Sequence, residues 1–296
     1  MAGSKINCYL CIMLKSFFYI SPLPPRRISP MRAALLSVLV VMLAGCEHVF
    51  DVHPYDMDLS GERNINATNI AKIKAACEGR DTVRFAVISD THGNYSDLSD
   101  EVHDINRRDS VDFVIHLGDL TETGTTKEFM WARRELGKLT KPYFALIGNH
   151  DFLGTGDQAY EWMFGTKNFS FVLNGIKFIA LDTNAMEYDH VAAVPDFTYM
   201  ENQATADTTA FCRTIVLMHA PPYSDEFNNN VSKAFNYYVT LFPGVMFCLY
   251  GHNHNDTIVD IFDNGILYYG IDSAAHRNYH IFTLTPNGYA QQRIDY

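Results

Sequence analysis

Residues 83–92 read VRFAVISDTH, an apolar run that ends in a carboxylate and an imidazole side chain. Residues 83–89 have the length and composition of a buried β-strand, and Asp90-Thr91-His92 follows where that strand ends. Four further apolar runs end in the same way, and the clusters that follow them are Gly118-Asp119, Gly148-Asn149-His150-Asp151, His219 and Gly251-His252-Asn253-His254. Because the carboxyl ends of neighbouring strands in an α/β sheet meet at one crevice, we expect these polar side chains to lie together.

The rest of the chain alternates between short apolar runs and amphipathic segments. Strands are predicted over residues 83–89, 113–117, 143–147, 215–218 and 245–250. Apolar residues recur at helical spacing in two of the intervening segments, and these are Leu98, Val102 and Ile105, then Phe129, Ala132 and Leu136. Turn chemistry at Asn174-Gly175 and Asp263-Asn264-Gly265 predicts hairpins joining residues 171–173 to 176–181 and residues 258–262 to 266–269. These elements predict a mixed sheet system with helices outside it.

Taken singly, each polar cluster is weak evidence for a site, because a histidine at a strand end is more often a hydrogen-bonded structural residue. Five clusters at successive strand ends favour a functional site. In this order the clusters resemble the pattern D-x-H, G-D, G-N-H-[D/E], H, G-H-x-H of the calcineurin-like metallophosphoesterase superfamily, over residues 83–284. The resemblance implies an α/β fold of two mixed β-sheets packed as a sandwich and flanked by helices. It also implies that Asp119 bridges two metal ions, one bound by Asp90, His92 and His254 and the other by Asn149, His219 and His252.

Mixed oxygen and imidazole ligands suit ions such as Mn, Fe, Co and Zn, whereas Mg and Ca prefer oxygen. The cofactor we expect is two divalent transition-metal ions, with Mn favoured and Fe or Zn as alternatives. Two ions about 3.5–4 Å apart activate water as a hydroxide nucleophile at neutral pH and clamp the phosphoryl oxygens. Purple acid phosphatases place tyrosine three positions after the bridging aspartate, whereas Glu122 stands there in this chain. Without that tyrosine we expect a colourless or only faintly tinted protein.

Further site residues are predicted from their places beside the ligands. His150 is expected to be the general acid or the hydrogen-bond donor to the leaving group. Asp151 either orients its neighbours or caps a turn. Loop residues that could reach the rim of the cleft or support it are Asn184, His190, Tyr223 and the run Asn228-Asn229-Asn230, although an ordinary solvated loop is the favoured interpretation. His103 and His116 are expected to be structural, whereas His276 and His280 stay undecided.

The expected function is metal-dependent hydrolysis of a phosphate ester. The sequences around Asp119 and His219, GDLTETG and HAPP, are most similar to those of bacterial class III cyclic-nucleotide phosphodiesterases, which favours a phosphodiesterase. A phosphomonoesterase or diphosphatase of the same fold is the alternative, and a nuclease or a non-catalytic metal-binding protein is less favoured. The formal net charge of −11 and the lack of a stretch dense in Lys and Arg disfavour nucleic acid as a partner and favour a small substrate. The oligomeric state stays open.

The first 45 residues hold five basic residues and no acidic one. Met31 is a candidate start, so residues 1–30 are interpreted as a non-native extension and residues 31–45 as a lipoprotein signal peptide. Leu43-Ala44-Gly45-Cys46 resembles a lipobox, which implies lipidation of Cys46; an ordinary signal peptide or a buried helix is the alternative. Residues 46–80 are interpreted as a tether and entry helix, and residues 81–296 as the catalytic domain. We expect a bacterial cell-envelope protein whose membrane partner is reached through Cys46, with the outer membrane favoured because Glu47 follows it.

Three cysteines remain beyond Cys46, and an odd set cannot be fully paired. Cys212 and Cys248 lie in apolar, strand-like runs. We expect both to be buried free thiols rather than partners in a disulfide.

Overall fold

The computed structural model describes residues 29–31, 37, 57–185, 192–206 and 209–296. The α-helices of residues 57–296 are α1 (Ile65–Cys77), α2 (Tyr95–Asn106), α3 (Thr126–Leu136), α4 (Gly156–Met163), α5 (Phe197–Thr205) and α6 (Ser232–Thr240). The strands are β1 (Val83–Ile88), β2 (Phe113–His116), β3 (Tyr143–Ala145), β4 (Phe169–Leu173), β5 (Ile176–Leu181), β6 (Arg213–Met218), β7 (Val245–Tyr250), β8 (Thr257–Val259), β9 (Tyr268–Gly270), β10 (Asn278–Thr285) and β11 (Gly288–Asp295). All of them lie in the compact unit formed by residues 52–296.

The strands form two mixed sheets, as predicted. The first sheet has the order β11-β10-β1-β2-β3, in which β1, β2 and β3 are parallel and the hairpin β10–β11 adds two antiparallel strands. The second sheet has the order β4-β5-β6-β7-β9-β8, with β5, β6, β7 and β9 parallel and an antiparallel strand at each edge. The parallel strands therefore direct their carboxyl ends to one edge of each sheet.

An aromatic layer fills the space between the two sheets. Phe85 stacks on Phe113 and Phe282 with ring centroids 5.1 and 5.5 Å apart, and Phe178 of the second sheet meets Phe85 edge-on at 5.8 Å. The alternate residues of β1, including Ala86, face the core formed with the helices instead. Apart from the half-buried Arg84, both faces of β1 are thus buried, which explains why residues 85–88 form a continuous apolar run rather than an alternating one.

The predicted helices are confirmed, and each buries its apolar stripe. Leu98, Val102 and Ile105 of α2 and Phe129, Ala132 and Leu136 of α3 are buried against the first sheet. Thr125 and Glu128 form a reciprocal capping box that fixes the start of α3. The helix expected before the first strand is α1, and its Asn66 side chain pairs with both the amide and the carbonyl of Ala145 on edge strand β3. This pairing satisfies backbone groups that an edge strand would otherwise expose.

Two sequence predictions need correction. Cys248 is buried in β7, but Cys212 is exposed because it lies just before β6, outside the covered part of the strand; both are free, as expected. The second hairpin exists, but its strands are only β8 and β9. The Asp260 carboxylate accepts the amides of Asn264 and Gly265, which turns the intervening residues into a loop.

No helix among the described residues is long and apolar enough to cross a bilayer. Cys46 and His190 lie outside the described residues, and so does the signal segment of residues 31–45 apart from Met31 and Ser37.

Candidate metal centre

The five polar clusters meet at the carboxyl edge of the two sheets, where β1, β2, β3, β6 and β7 end. Several of the residues that leave these strands have left-handed backbone conformations, with φ between 47° and 67°, and they are Asp90, His92, Asp119, His252 and His254. Non-glycine residues rarely adopt this conformation, and it persists where surrounding structure enforces it, most often at functional sites. The sharp turns direct these side chains inward.

Glycines let the turns approach one another. A Cβ on Gly148 would overlap Asp119 Oδ1, and one on Gly251 would overlap Ser89 Oγ. At these two positions the backbone therefore lies close to side chains that form or flank the site.

Asp90, His92 and His254 form the first group. His254 Nε2 lies 3.2 Å from Asp90 Oδ1 and 3.0 Å from His92 Nε2. Asp90 is fully buried, and its carboxylate accepts the backbone N–H of His252 at 3.1 Å. Together with Asp119, these side chains bring four ligand atoms within 4.8 Å of one another.

Asn149, His219 and His252 form the second group. Asn149 Oδ1 lies 3.1 Å from both His219 Nε2 and His252 Nδ1. The opposite nitrogen of each ring is held by the protein, because His219 Nδ1 lies 3.0 Å from the carbonyl oxygen of Leu117 and His252 Nε2 lies 2.7 Å from Asp225 Oδ1. The nitrogens that remain converge with the amide oxygen on one point.

Asp119 lies between the two groups. Its Oδ1 accepts the backbone N–H of His150 at 2.9 Å, whereas its Oδ2 is buried and has no hydrogen-bond partner. That oxygen lies 3.5 Å from His92 Nε2 and 3.2 Å from His219 Nε2. Burial opposes ionisation of Asp119, but the charges of His219 and His92 hold its pKa well below the usual value. An ionised, buried oxygen that faces imidazole nitrogens from both groups fits a carboxylate that bridges two cations.

His150 belongs to neither group but faces the same space. Its Nδ1 donates to the carbonyl oxygen of Glu122 at 2.8 Å, and its ring meets that of His92 edge-on at 4.6 Å between centroids. With Nδ1 engaged, Nε2 is the ring nitrogen left for a substrate. Burial lowers the pKa of His150, but the bond to Glu122 and the charge of Asp119 outweigh it and raise that pKa.

The other predicted site residues divide by exposure. Asp151 is fully buried and accepts bonds from the amides of Gly148, Leu120 and Thr121, so it joins the Asp119 and Asn149 turns and cannot reach a substrate. Asn184 is also fully buried, and it donates to the carbonyl oxygen of Ile147 at 3.1 Å. Tyr223 is 55% exposed, in the loop that follows β6.

The remaining histidines are accounted for in part. His116 is buried against the hydroxyl of Thr91 at 2.9 Å, which agrees with a structural role, and His103 is exposed on α2. His276 lies 2.6 Å from Asp272, and His280 lies beside Asp256 at 3.2 Å.

Two carboxylates beside the ligands had no assigned role at the level of sequence. Glu122 Oε2 lies 3.1 Å from His92 Nδ1, and Asp225 meets His252 as described. Both follow predicted strand ends, but a loop sequence does not specify which way its side chains point. Their proximity to the ligands becomes visible in three dimensions.

Comparison with known proteins agrees with this geometry. The sequence profile of the calcineurin-like phosphoesterase family matches residues 83–256, more than half of the chain. A curated relative from Arcobacter nitrofigilis, named "Probable glycerophosphodiester phosphodiesterase GpdQ", is 30% identical over 88 residues; the matched region spans 28% of this chain and 32% of the relative.

Solved structures share the fold. A dimetal phosphatase from Danio rerio is similar with a TM-score of 0.57 and 14% identity, covering 72% of this chain and 99% of that one. GAP50, the anchor in the inner membrane complex of Plasmodium, is similar with a TM-score of 0.56 and 15% identity, covering 73% and 85%. At these identities the likeness supports the fold alone.

Proposed function

Because the chain belongs to the calcineurin-like phosphoesterase family, we propose that it hydrolyses a small phosphodiester with the help of two divalent metal ions. The observation that carries this proposal is the buried Oδ2 of Asp119, which lies between the Nε2 atoms of His92 and His219. Asp90, His92 and His254 would hold one ion, Asn149, His219 and His252 the other, and Asp119 both. When bound, the ions supply Lewis-acid activation of water and neutralise phosphoryl charge.

We propose Mn as the metal, with Fe or Zn as alternatives. Two carboxylates, one amide oxygen and four imidazoles form the kind of mixed ligand set that these ions accept. Because Glu122 stands where purple acid phosphatases have tyrosine, an iron-loaded preparation is expected to lack an intense visible band. A visible absorption spectrum after loading with iron checks this, and a purple protein would contradict it.

His150 is the residue we propose as proton donor to the leaving oxygen. Its Nδ1 bond to the Glu122 carbonyl fixes the ring and leaves Nε2 directed away from the backbone. The bond from its own amide to Asp119 Oδ1 ties its position to the residue shared by both groups. A well-placed general acid contributes about 10²- to 10⁴-fold in rate.

Preference for a phosphodiester is supported by the name of the curated relative, although the matched region is less than a third of each protein. Hydrolysis of a phosphomonoester is the second candidate, because fold and ligands are shared across both reactions.

The decisive experiment is a substrate panel. Bis-p-nitrophenyl phosphate, p-nitrophenyl phosphate and cyclic nucleotides are assayed on chelator-treated protein, before and after addition of Mn. We expect activity only after metal addition and a higher kcat/KM for diesters. A higher kcat/KM for the monoester would favour the second candidate, and no turnover with Mn, Fe or Zn would contradict both.

We further propose that Cys46 carries a lipid that anchors the protein in the bacterial envelope, in the outer membrane. The support is the sequence Leu43-Ala44-Gly45-Cys46 with Glu47 after it. Cell fractionation of wild type, Cys46→Ala and the control Cys212→Ala tests this. We expect wild type and Cys46→Ala to differ in membrane association and the control to follow wild type; wild type recovered wholly in the soluble fraction would contradict it.

A further inference from the structure

Asp225 and His252 form a carboxylate–imidazole pair at the edge of the second group. Asp225 Oδ1 lies 2.7 Å from His252 Nε2, whereas Nδ1 of the same ring faces Asn149 Oδ1 at 3.1 Å. A neutral imidazole carries one N–H, and a carboxylate can only accept, so the proton is favoured on Nε2. The lone pair of Nδ1 then faces the point on which Asn149 and His219 also converge.

We infer that Asp225 is the positioning residue for His252, and that it sets the affinity of the second group for its metal ion. A carboxylate behind a ligating histidine fixes the tautomer and ring orientation and makes the ring a stronger ligand. The inference rests on the two-metal function proposed above.

The loop of residues 221–229 holds Asp225 in place, although its side chain is 89% exposed. On one side, the hydroxyl of Ser224 donates to the carbonyl oxygen of Pro221 at 2.8 Å. Asn229 bonds both the amide of Tyr223 and the carbonyl oxygen of Ser224, at 2.8 and 2.7 Å. On the other side, Phe227 is buried, with 2% of its surface exposed. Asp225 is therefore presented by an anchored turn and not by a free loop.

The two histidines of the second group are supported differently. His219 is completely buried, and the group behind it is the backbone carbonyl of Leu117, whose position is fixed by the β2 region. His252 depends on a side chain that a single substitution removes. Removal of Asp225 should therefore lower the affinity for one metal ion selectively and leave the fold intact.

Calorimetric titration of metal-free protein with Mn tests this directly. Wild type is expected to bind two ions. Asp225→Ala should lower the affinity for one of these ions by about 10- to 100-fold and leave the affinity for the other nearly unchanged. Asp225→Asn, which keeps an acceptor oxygen but loses the charge, should fall between. Asp263→Asn, which removes the same charge from the exposed β8–β9 loop, is the control and should bind both ions with the affinities of wild type.

Thermal unfolding of the metal-free variants is the companion measurement. The positioning role is supported if metal-free wild type and Asp225→Ala have equal melting temperatures and the loss of affinity is selective for one ion. A lowered melting temperature together with loss of both ions would overturn that role in favour of a structural one. Binding of fewer than two ions by wild type would overturn the proposed function itself. Two ions in wild type with unchanged affinities in Asp225→Ala would overturn this inference alone.

Discussion

The two ligand groups differ in how firmly the protein holds them. In the second group His219 has no exposed side-chain surface and is bonded to a backbone carbonyl, and His252 is held from behind by Asp225. In the first group the His254 side chain is 41% exposed, and its described contacts are with the neighbouring ligands Asp90 and His92. The second group is thus preformed by bonds that do not involve a metal.

This difference indicates how the centre would assemble. Ligands already held in position lose little conformational freedom when they bind an ion, whereas an exposed histidine must be ordered in the process. The groups are nevertheless linked, since Asp90 of the first accepts the backbone N–H of His252 of the second. Asp119 links them again through its shared oxygen. The following predictions test whether the groups behave as one centre or as two.

Asp119→Ala has the largest expected effect because Asp119 belongs to both groups. We expect loss of both ions and a fall in kcat/KM of about 10⁴-fold or more, since metal catalysis contributes several kcal/mol to the transition state. The stabilisation that added Mn gives the wild type should also disappear, because it depends on binding to the folded state. Metal content by mass spectrometry and melting temperature with and without Mn check this. One ion retained at full affinity would show that the groups are independent.

His150→Ala should separate chemistry from metal binding. His150 lies outside both groups, so we expect near-full metal occupancy with a loss of about 10²- to 10⁴-fold in kcat on alkyl esters. Nitrophenyl esters should lose much less, because their leaving group needs little protonation. Metal content and kcat for both ester classes are measured on the same preparation. Loss of the metals, or full activity on an alkyl ester, would remove His150 from the role proposed here.

The sequence could bring the candidate ligands together because they follow the ends of five strands. The buried strand β1 fixes where Asp90 must lie, and the same holds for Asp119 after β2 and His219 after β6. The division of the ligands into two groups rested on family resemblance, and the distances now give it a geometric basis. The meeting of the five clusters at one edge follows from strand order and from the direction of the parallel strands.

What the sequence could not predict depends on loops and on long-range packing. Asp225 lies six residues after His219, and its direction depends on bonds made by Asn229 and on the burial of Phe227. Asn184 occupies a loop in the sequence but is buried against Ile147, which lies 37 residues away in the chain. Side-chain direction in such loops is set by contacts that no local pattern records.

A matched pair, His219→Ala and His254→Ala, should show the difference in support between the groups. In metal-free protein, His219→Ala leaves the Leu117 carbonyl without its partner in a buried position, which costs about 1–3 kcal/mol in the free energy of unfolding. His254→Ala removes a partly exposed partner of the buried Asp90 carboxylate, which keeps the backbone N–H of His252, and should cost about 1 kcal/mol or less. Urea unfolding of the chelator-treated variants measures both. Equal losses would mean that the first group is held as firmly as the second.

Tyr223→Ala has the smallest expected effect, because Tyr223 lies in the loop that carries Asp225 without bonding a ligand. Its ring is 55% exposed and packs on Phe262 at 5.6 Å between centroids, so it offers a face to an aryl group bound beside the second group. Aromatic contacts contribute about 0.5–1.5 kcal/mol, which corresponds to an increase in KM of about 2- to 10-fold for aryl diesters with kcat unchanged. Tyr237→Ala, which removes a similarly exposed ring from α6, is the control and should leave KM unchanged. A fall in kcat with loss of one ion in Tyr223→Ala would instead show that Tyr223 helps to hold His252. An unchanged KM would confine the function of this loop to presenting Asp225.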